Sequence, residues 1–134
     1  MTPKRSPGWQ GRLHEYIEAR RGQPFRPGRN DCACFAAGAV AAMTGTDLSV
    51  GWRYGSLAGG RRLLKQAGFA DHVALAAQSF ETTTMPGPGD LAVLPAPDGG
   101  DALGIVQGEA VYVVAPDGLG IAPLAAARLF FRVP

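Results

Sequence analysis

The feature of this sequence that most constrains its fold is an alanine-rich apolar run that opens with a cysteine. Residues 32–44 (CACFAAGAVAAMT) contain no charged side chain. Asn30 or Asp31 can cap a helix here, because a short polar side chain accepts a hydrogen bond from an unpaired amide one turn on, and Gly45 is a typical stop. A helix without a polar face is buried. We therefore predict a central helix over Asp31–Thr44, with the rest of the chain packed around it.

Cys32 falls in the first turn of that helix, where free N–H groups and the helix dipole favour a thiolate. Two interpretations are open: a reactive thiol, or a small hydrophobic side chain packed in a core. For Cys34 we expect a core position. Cysteines at i and i+2 point to different sides of a helix and cannot easily form a disulfide. A zinc site would need further Cys or His ligands, so we predict no disulfide framework, no metal and no cofactor.

The composition is that of one ordinary globular domain. With 134 residues, 46% of them hydrophobic and 18% charged, the chain can bury a core and is unlike a disordered protein. A net charge of +2 is too small to imply nucleic-acid binding. The first thirty residues are nevertheless basic, since they contain Lys4, Arg5, Arg12, Arg20, Arg21, Arg26 and Arg29.

The sequence carries no targeting signal that we recognise. Its first residues lack an apolar signal core, and no apolar run reaches the roughly 18 residues of a membrane span. We expect a chain that is made and kept in a reducing cytoplasm, without membrane insertion. If it meets a cell surface, another component carries it there.

Helical periodicity precedes strand-like segments along the chain. Helices are predicted over residues 9–21, 31–44 and 57–67, and residues 72–80 are ambiguous between a helix and a strand. Short segments follow, several of them rich in β-forming residues, at 90–94, 102–107, 110–115, 120–122 and 130–133. This order predicts an α+β fold in one domain over 1–134, made of an N-terminal helix and basic loop (1–29), a helical part (30–84) and an antiparallel sheet (85–134).

Three motifs in this order resemble those of a known family. They are Asp31-Cys32 at the start of a buried helix, Pro88-Gly89-Asp90-Leu91 at the first strand, and Ala102-Leu103-Gly104-Ile105-Val106 in the next strand. The pattern is similar to that of the NlpC-type cysteine peptidases, papain-like enzymes that cut peptidoglycan stem peptides. The resemblance covers Asn30 to the C-terminus and implies their fold.

The fuller layout resembles a divergent branch of these proteins found in phage, prophage and gene-transfer-agent tail clusters. The shared features are Pro24-Phe25 ahead of the Asp-Cys pair, Thr44-Gly45 after the helix, Tyr54 before a Gly-Gly-Arg helix, and Phe131-Arg132-Val133 at the end. Membership of this branch implies a role in a virion tail.

Carried over residue by residue, the resemblance implies that the peptidase machinery is incomplete. Cys32, preceded by Asp31, takes the nucleophile position, and Ala102 stands where the catalytic histidine belongs. The orienting third group would fall near residues 113–115, where no polar side chain stands. An alanine cannot take the proton of a thiol, and loss of a general base typically costs roughly 10²–10⁴-fold in rate.

Other residues could supply a base. Neither His14 nor His72 lies on the strand expected to face the cysteine; of the two, His72, beside Asp71, is the better substitute, and both can equally be surface or cap histidines. Asp101 could act as a weak base, but strand alternation points it away from the side of Ala102.

A second candidate site is the loop that carries Trp52, Arg53 and Tyr54. Aromatic residues and arginine dominate interface hot spots, so these three side chains could form a contact patch. Equally, they could cover the core.

Three hypotheses follow. The leading one is a structural component of a phage-like tail tip or tail-assembly machinery, built on a degenerate cysteine peptidase scaffold, with other tail or hub proteins and peptidoglycan as partners. The alternative is an active peptidoglycan cysteine hydrolase of the tail tip with an unrecognised base. A third is a bacterial binding module that holds a peptide or lipid in the vestigial cleft.

Overall fold

The chain forms four helices and one antiparallel sheet in a computed structural model that describes residues 2–134. The helices are α1 (Trp9–Arg20), α2 (Cys32–Thr44), α3 (Leu57–Gln66) and α4 (His72–Ser79). The strands are β1 (Leu91–Pro95), β2 (Asp101–Gln107), β3 (Ala110–Ala115), β4 (Gly118–Pro123) and β5 (Leu129–Phe131), with a short 3₁₀ turn at Leu124–Ala126. Their order in the sheet is β4-β3-β2-β1-β5, and every neighbouring pair is antiparallel. The predicted α+β fold is confirmed.

Helix α2 lies at the centre, as its apolar sequence predicts. The Asp31 side chain caps it by accepting a hydrogen bond from the Cys34 amide at 2.8 Å, and Gly45 ends it in the left-handed conformation (φ 80°). The buried residues of the helix are Phe35, Ala36, Ala39, Val40 and Met43.

Close approach of α1 to α2 depends on a glycine. The Tyr16 hydroxyl donates to the Phe35 carbonyl at 2.9 Å, and the two rings stack with their centroids 5.7 Å apart. A Cβ atom on Gly38 would overlap that hydroxyl. The small residue thus lets α1 bring Leu13 and Ile17 into the core.

The sheet has two buried faces, and the register assigns residues to each. Leu103 and Ile105 of β2 pair with Val93 and Leu91 of β1 and belong to the core cluster that contains α2. The intervening pairs, Ala92 with Gly104 and Leu94 with Ala102, lie on the opposite face by strand alternation. On that face Ala92 and Leu94 pack in a second cluster with Val106 and Val111.

Two segments differ from their sequence-based description. Residues 72–80, ambiguous from sequence, form helix α4, which the Asp71 side chain caps through the Ala74 amide at 2.9 Å. Strand β5 ends at Phe131 and does not reach Val133 as predicted, because the Val133 amide donates to the Asp90 carboxylate at 3.1 Å.

Asp90, the acidic residue of the Gly-Asp-Leu motif, ties the two ends of the chain together. It is 4% exposed and accepts from Arg5 Nη2 at 3.1 Å, as well as from the Val133 and Gly87 amides. The Arg5 guanidinium also lies over the Trp9 ring, 4.0 Å from its centroid. This motif residue therefore has a structural role.

None of the helices in residues 2–134 combines the length and the apolar character that crossing a membrane requires.

Candidate functional site

The Cys32 thiol lies at the start of α2, partly buried against the main core cluster. Burial raises the pKa of this thiol, and the negative charge of Asp31 raises it further. The backbone amides of Leu103 on β2 and of Ala33 favour the thiolate but do not outweigh burial. The environment therefore favours the protonated thiol at neutral pH, despite its place at a helix N-terminus.

An imidazole lies beside this thiol, supplied by a helix. His72, the first residue of α4, has its Nε2 atom 3.9 Å from Cys32 Sγ, which is within hydrogen-bonding reach for sulfur. Asp71 positions it indirectly, since capping of α4 fixes where the helix begins. His14, the other histidine, is exposed on α1. The structure therefore brings Cys32 together with His72, the histidine that the sequence indicated as the better substitute for the missing base.

Strand β2 presents Asp101 to the same region. By alternation with Leu103, Asp101 lies on the face of the sheet that carries α2. Its carboxylate accepts two hydrogen bonds from Arg128, at 3.1 Å from Nε and 2.7 Å from Nη2. These bonds hold the pKa of Asp101 below its usual range, and the charge of His72 adds to this effect.

Ala102 occupies the other face of β2, opposite Leu94. Its Cβ atom is on the side of the second core cluster, whereas Cys32 packs against the first. The assignment of Ala102 as the position of a lost histidine thus rests on motif alignment alone and stays a prediction.

Asp31 is almost fully buried, and its carboxylate is completely used within the fold. One oxygen accepts from the Cys34 amide, and the other accepts from the Gly28 amide at 2.9 Å and from the Tyr54 hydroxyl at 2.5 Å. Burial acts to raise the pKa of Asp31, but these hydrogen bonds outweigh it and lower the pKa. Burial and the Asp31 carboxylate raise the pKa of Tyr54. Asp31 is thus an ionised acceptor that joins the cap of α2 to the loop carrying Tyr54.

Cys34 is half-buried beside this network and does not lie in the core cluster where the sequence suggested it. Its sulfur is 3.7 Å from the Tyr54 hydroxyl. Burial raises the pKa of the Cys34 thiol, so this group also stays protonated at neutral pH.

The loop before α2 and the loop after it form one groove. It has a volume of about 730 Å³ and is lined by residues 26–29 and 52–55. The two loops touch at Gly28 (φ 77°), where a Cβ atom would overlap the Tyr54 carbonyl oxygen. Trp52 and Tyr54 are half-buried and Arg53 is exposed. Because the Tyr54 hydroxyl is bound to Asp31, the candidate patch presents mainly Trp52 and Arg53 to a partner.

No group of three or more His, Cys, Asp or Glu side chains in the described part of the chain is arranged to hold a metal ion.

Comparison with known proteins places the chain in a family. A family model described as a domain of unknown function, DUF6950, matches residues 4–133. The chain belongs to the DUF6950 family. No curated protein sequence is similar enough to this DUF6950 chain to count as a relative.

Among solved structures, this DUF6950 chain is similar to RipD from Mycobacterium tuberculosis. That protein is described as a non-catalytic NlpC/p60 domain protein with an adaptation to peptidoglycan-binding function. The similarity has a TM-score of 0.54 at 14% identity and covers 96% of this chain and 100% of RipD. It confirms the predicted NlpC-like fold.

Sequence reasoning missed two parts of the site. It expected the partner of Cys32 on a strand, whereas His72 reaches the thiol from α4. It also treated the basic N-terminal stretch and the Trp52–Tyr54 loop as separate features, although Arg26 and Arg29 line the same groove as Arg53. The Asp71-His72 pair at a helix start was the only sequence signal for the histidine beside Cys32. The positive charge of the first thirty residues was the only signal for the groove.

Proposed function

We propose that this chain is a structural component of a phage-like tail tip or tail-assembly machinery, in which a degenerate cysteine peptidase scaffold binds peptidoglycan without cutting it. In this proposal it works in the virion tail beside other tail or hub proteins, after synthesis in the host cytoplasm. The observation that carries the loss of hydrolysis is the state of Cys32, a partly buried thiol whose pKa is raised.

The surroundings of His72 support the same conclusion. A catalytic imidazole needs its second nitrogen held by an acceptor, which fixes the ring and stabilises the imidazolium. Among residues 2–134, the only hydrogen-bond contact that involves the His72 side chain is the one with Cys32. The Asp101 carboxylate is bound through both oxygens to Arg128 and makes no hydrogen bond to the His72 ring in the described part of the chain.

The fold supports peptidoglycan as the ligand. RipD combines an NlpC/p60 domain, absence of catalysis and an adaptation to peptidoglycan binding. The motif order of this chain resembles the branch found in tail clusters, which supports the location at a tail. A tail tip also meets the cell wall of a bacterium, where peptidoglycan is exposed to it.

Two experiments test this proposal. Co-sedimentation with purified sacculi should retain the wild-type chain, and a Cys32→Ala variant should bind equally well, because binding does not need the thiol. Mass spectrometry of purified particles or assembly intermediates should detect the chain. Absence of the chain from both the purified particles and the assembly intermediates would refute the tail role. Failure of the wild-type chain to co-sediment with sacculi would refute peptidoglycan binding.

A second candidate function is an active cysteine hydrolase in which His72 replaces the missing strand histidine. The distance of 3.9 Å between His72 Nε2 and Cys32 Sγ favours it, because catalytic contacts are often long without substrate and tighten on binding. Such an enzyme would form a thioester between Cys32 and the acyl part of a stem peptide, releasing the amine. Acid quenching of a reaction with soluble muropeptides, followed by intact-protein mass spectrometry, would detect this acyl-enzyme. Its appearance on wild type and absence on His72→Ala would establish the second candidate over the first.

A further inference from the structure

Three arginine residues line one groove, and none of them forms an ion pair with a carboxylate of the described residues. Arg26, Arg29 and Arg53 line the groove between the loops 26–29 and 52–55, and all three side chains belong to exposed residues. The ion pairs formed within residues 2–134 use other arginines, namely Arg5, Arg21, Arg61 and Arg128. The lining of the groove contains no acidic residue.

The buried carboxylate beside the groove makes no ion pair with these arginines. Asp31 accepts hydrogen bonds from the Gly28 amide, the Cys34 amide and the Tyr54 hydroxyl, which are all neutral groups, and points its carboxylate into the fold. Like charges that are brought together without a counter-charge repel one another, and a ligand of opposite charge removes that cost.

The frame that carries these arginines is fixed. Gly28 lies against the Tyr54 carbonyl, and the Tyr54 ring in turn lies against Gly60 of α3, where an added Cβ would be 3.1 Å from it. The Asn30 side-chain amide donates to the Gln23 and Pro24 carbonyls at 3.0 and 2.9 Å, which holds the first loop. A preorganised site of this kind binds with a smaller loss of conformational entropy than a flexible one.

We propose that this arginine groove binds an acidic peptide segment of a partner protein. Planar guanidinium groups donate paired hydrogen bonds to carboxylates, and a neighbouring tryptophan supplies the aromatic anchor common at protein interfaces. The volume of about 730 Å³ falls within the range of roughly 300–1,000 Å³ seen for ligand sites. The net charge of +2 on the whole chain gives little support to a nucleic-acid site.

This site is distinct from the Cys32 region. Cys32 faces His72 and the amide of Leu103, whereas Cys34, on another side of α2, faces the Tyr54 hydroxyl next to the groove. Binding at the groove and chemistry at Cys32 can therefore be tested separately.

The probe is a fluorescein-labelled hexaglutamate peptide, titrated with the full chain in low salt and followed by anisotropy. We expect saturable binding that weakens as salt is added, since exposed charge pairs are screened. A variant with Arg26→Gln, Arg29→Gln and Arg53→Gln should bind about tenfold or more weakly. The matched control, Lys4→Gln with Arg62→Gln and Lys65→Gln, removes three exposed positive charges elsewhere and should change affinity less than about twofold.

A second measurement does not depend on any variant. In a two-dimensional NMR spectrum of the wild type, hexaglutamate should shift the indole N–H signal of Trp52 and leave that of Trp9 in place. Absence of hexaglutamate binding, or an equal loss of affinity in the groove variant and the control variant, would overturn the proposal. So would an NMR shift confined to the Trp9 signal. Tighter binding of poly(glycerol phosphate) or of oligo-dT than of hexaglutamate would also overturn it, in favour of a phosphate polymer. Sacculus co-sedimentation of the groove variant, run in parallel, shows whether peptidoglycan binding survives independently.

Discussion

The imidazole Nε2 of His72 lies 3.9 Å from the sulfur of Cys32, although the two residues belong to different helices. A thiol and an imidazole at this distance are the two groups that a cysteine peptidase needs first. In this chain the thiol is partly buried with a raised pKa, and the Asp101 carboxylate on β2 is bound to Arg128. The pair therefore has its two groups in contact, but in the described residues no acceptor bonds the second nitrogen of the ring.

The first prediction concerns the reactivity of Cys32. Because burial raises the pKa of its thiol, iodoacetamide labelling should be slow at pH 7 and should accelerate only above the free-thiol value of about 8.5. The measurement uses a Cys34→Ser variant, so that Cys32 is the only thiol that iodoacetamide can label. His72→Ala should leave the labelling profile nearly unchanged. An inflection well below pH 8 that disappears in His72→Ala would reveal an activated ion pair and contradict this prediction.

The second prediction concerns the Asp31 network. Asp31→Ala removes the cap of α2 and leaves the Gly28 amide and the Tyr54 hydroxyl without their acceptor, so we expect a loss of about 2–4 kcal/mol in the free energy of unfolding. Tyr54→Phe removes one of these bonds and should cost about 1 kcal/mol. Urea denaturation at pH 7 measures both, and a loss in Asp31→Ala no larger than in Tyr54→Phe would contradict the network.

The pH dependence of this network has a definite sign. The pKa of Asp31 is lower in the folded chain than its ordinary value, so its contribution is present above that ordinary value, about 3.9, and is lost as pH falls through the lower folded value. The destabilisation caused by Asp31→Asn, which cannot ionise, should therefore be largest at neutral pH and shrink in strong acid. A constant difference between wild type and variant from pH 7 to pH 2 would show that ionisation of Asp31 does not matter.

The third prediction contrasts two aspartate–arginine pairs. Asp90→Ala breaks a pair whose side chains are 6% and 19% exposed and leaves Arg5 without its carboxylate, so the loss should be about 3 kcal/mol. Asp98→Ala breaks the pair with Arg61, in which both side chains are more than half exposed, and should cost less than about 1 kcal/mol. Thermal denaturation of the two variants side by side tests this, and equal losses would show that Asp90 does not join the chain ends.

The fourth prediction concerns position 102. A histidine there would lie opposite Leu94, on the face of β2 away from the core cluster that holds Cys32. Ala102→His should therefore give no release of muropeptides above the level of Cys32→Ala. Clear release by Ala102→His that also requires Cys32 would show that β2 can present position 102 to the thiol.

Part of this structure was predictable from sequence because it depends on local rules. The burial of α2 follows from its lack of a polar face, and its start at Asp31 and stop at Gly45 follow from cap chemistry. Helices followed by short β-rich segments gave the fold class.

Other parts were not predictable because they depend on tertiary packing. The face of β2 on which Ala102 lies depends on the strand register, because a shift of one residue moves every side chain to the opposite face of the sheet. The contact of His72 with Cys32 depends on where α4 packs, and no periodicity encodes that. The arginine groove joins two loops that are separated along the chain by the whole of α2.

The most direct test of the central claim is the release of soluble muropeptides from purified sacculi, followed by chromatography and mass spectrometry for wild type, Cys32→Ala and His72→Ala. The account predicts that all three bind sacculi and that none releases fragments above the buffer control, because burial raises the pKa of the thiol and no acceptor in the described residues orients the imidazole. Release by the wild type that is lost in both variants would contradict the account and identify the chain as a cysteine hydrolase with His72 as its base.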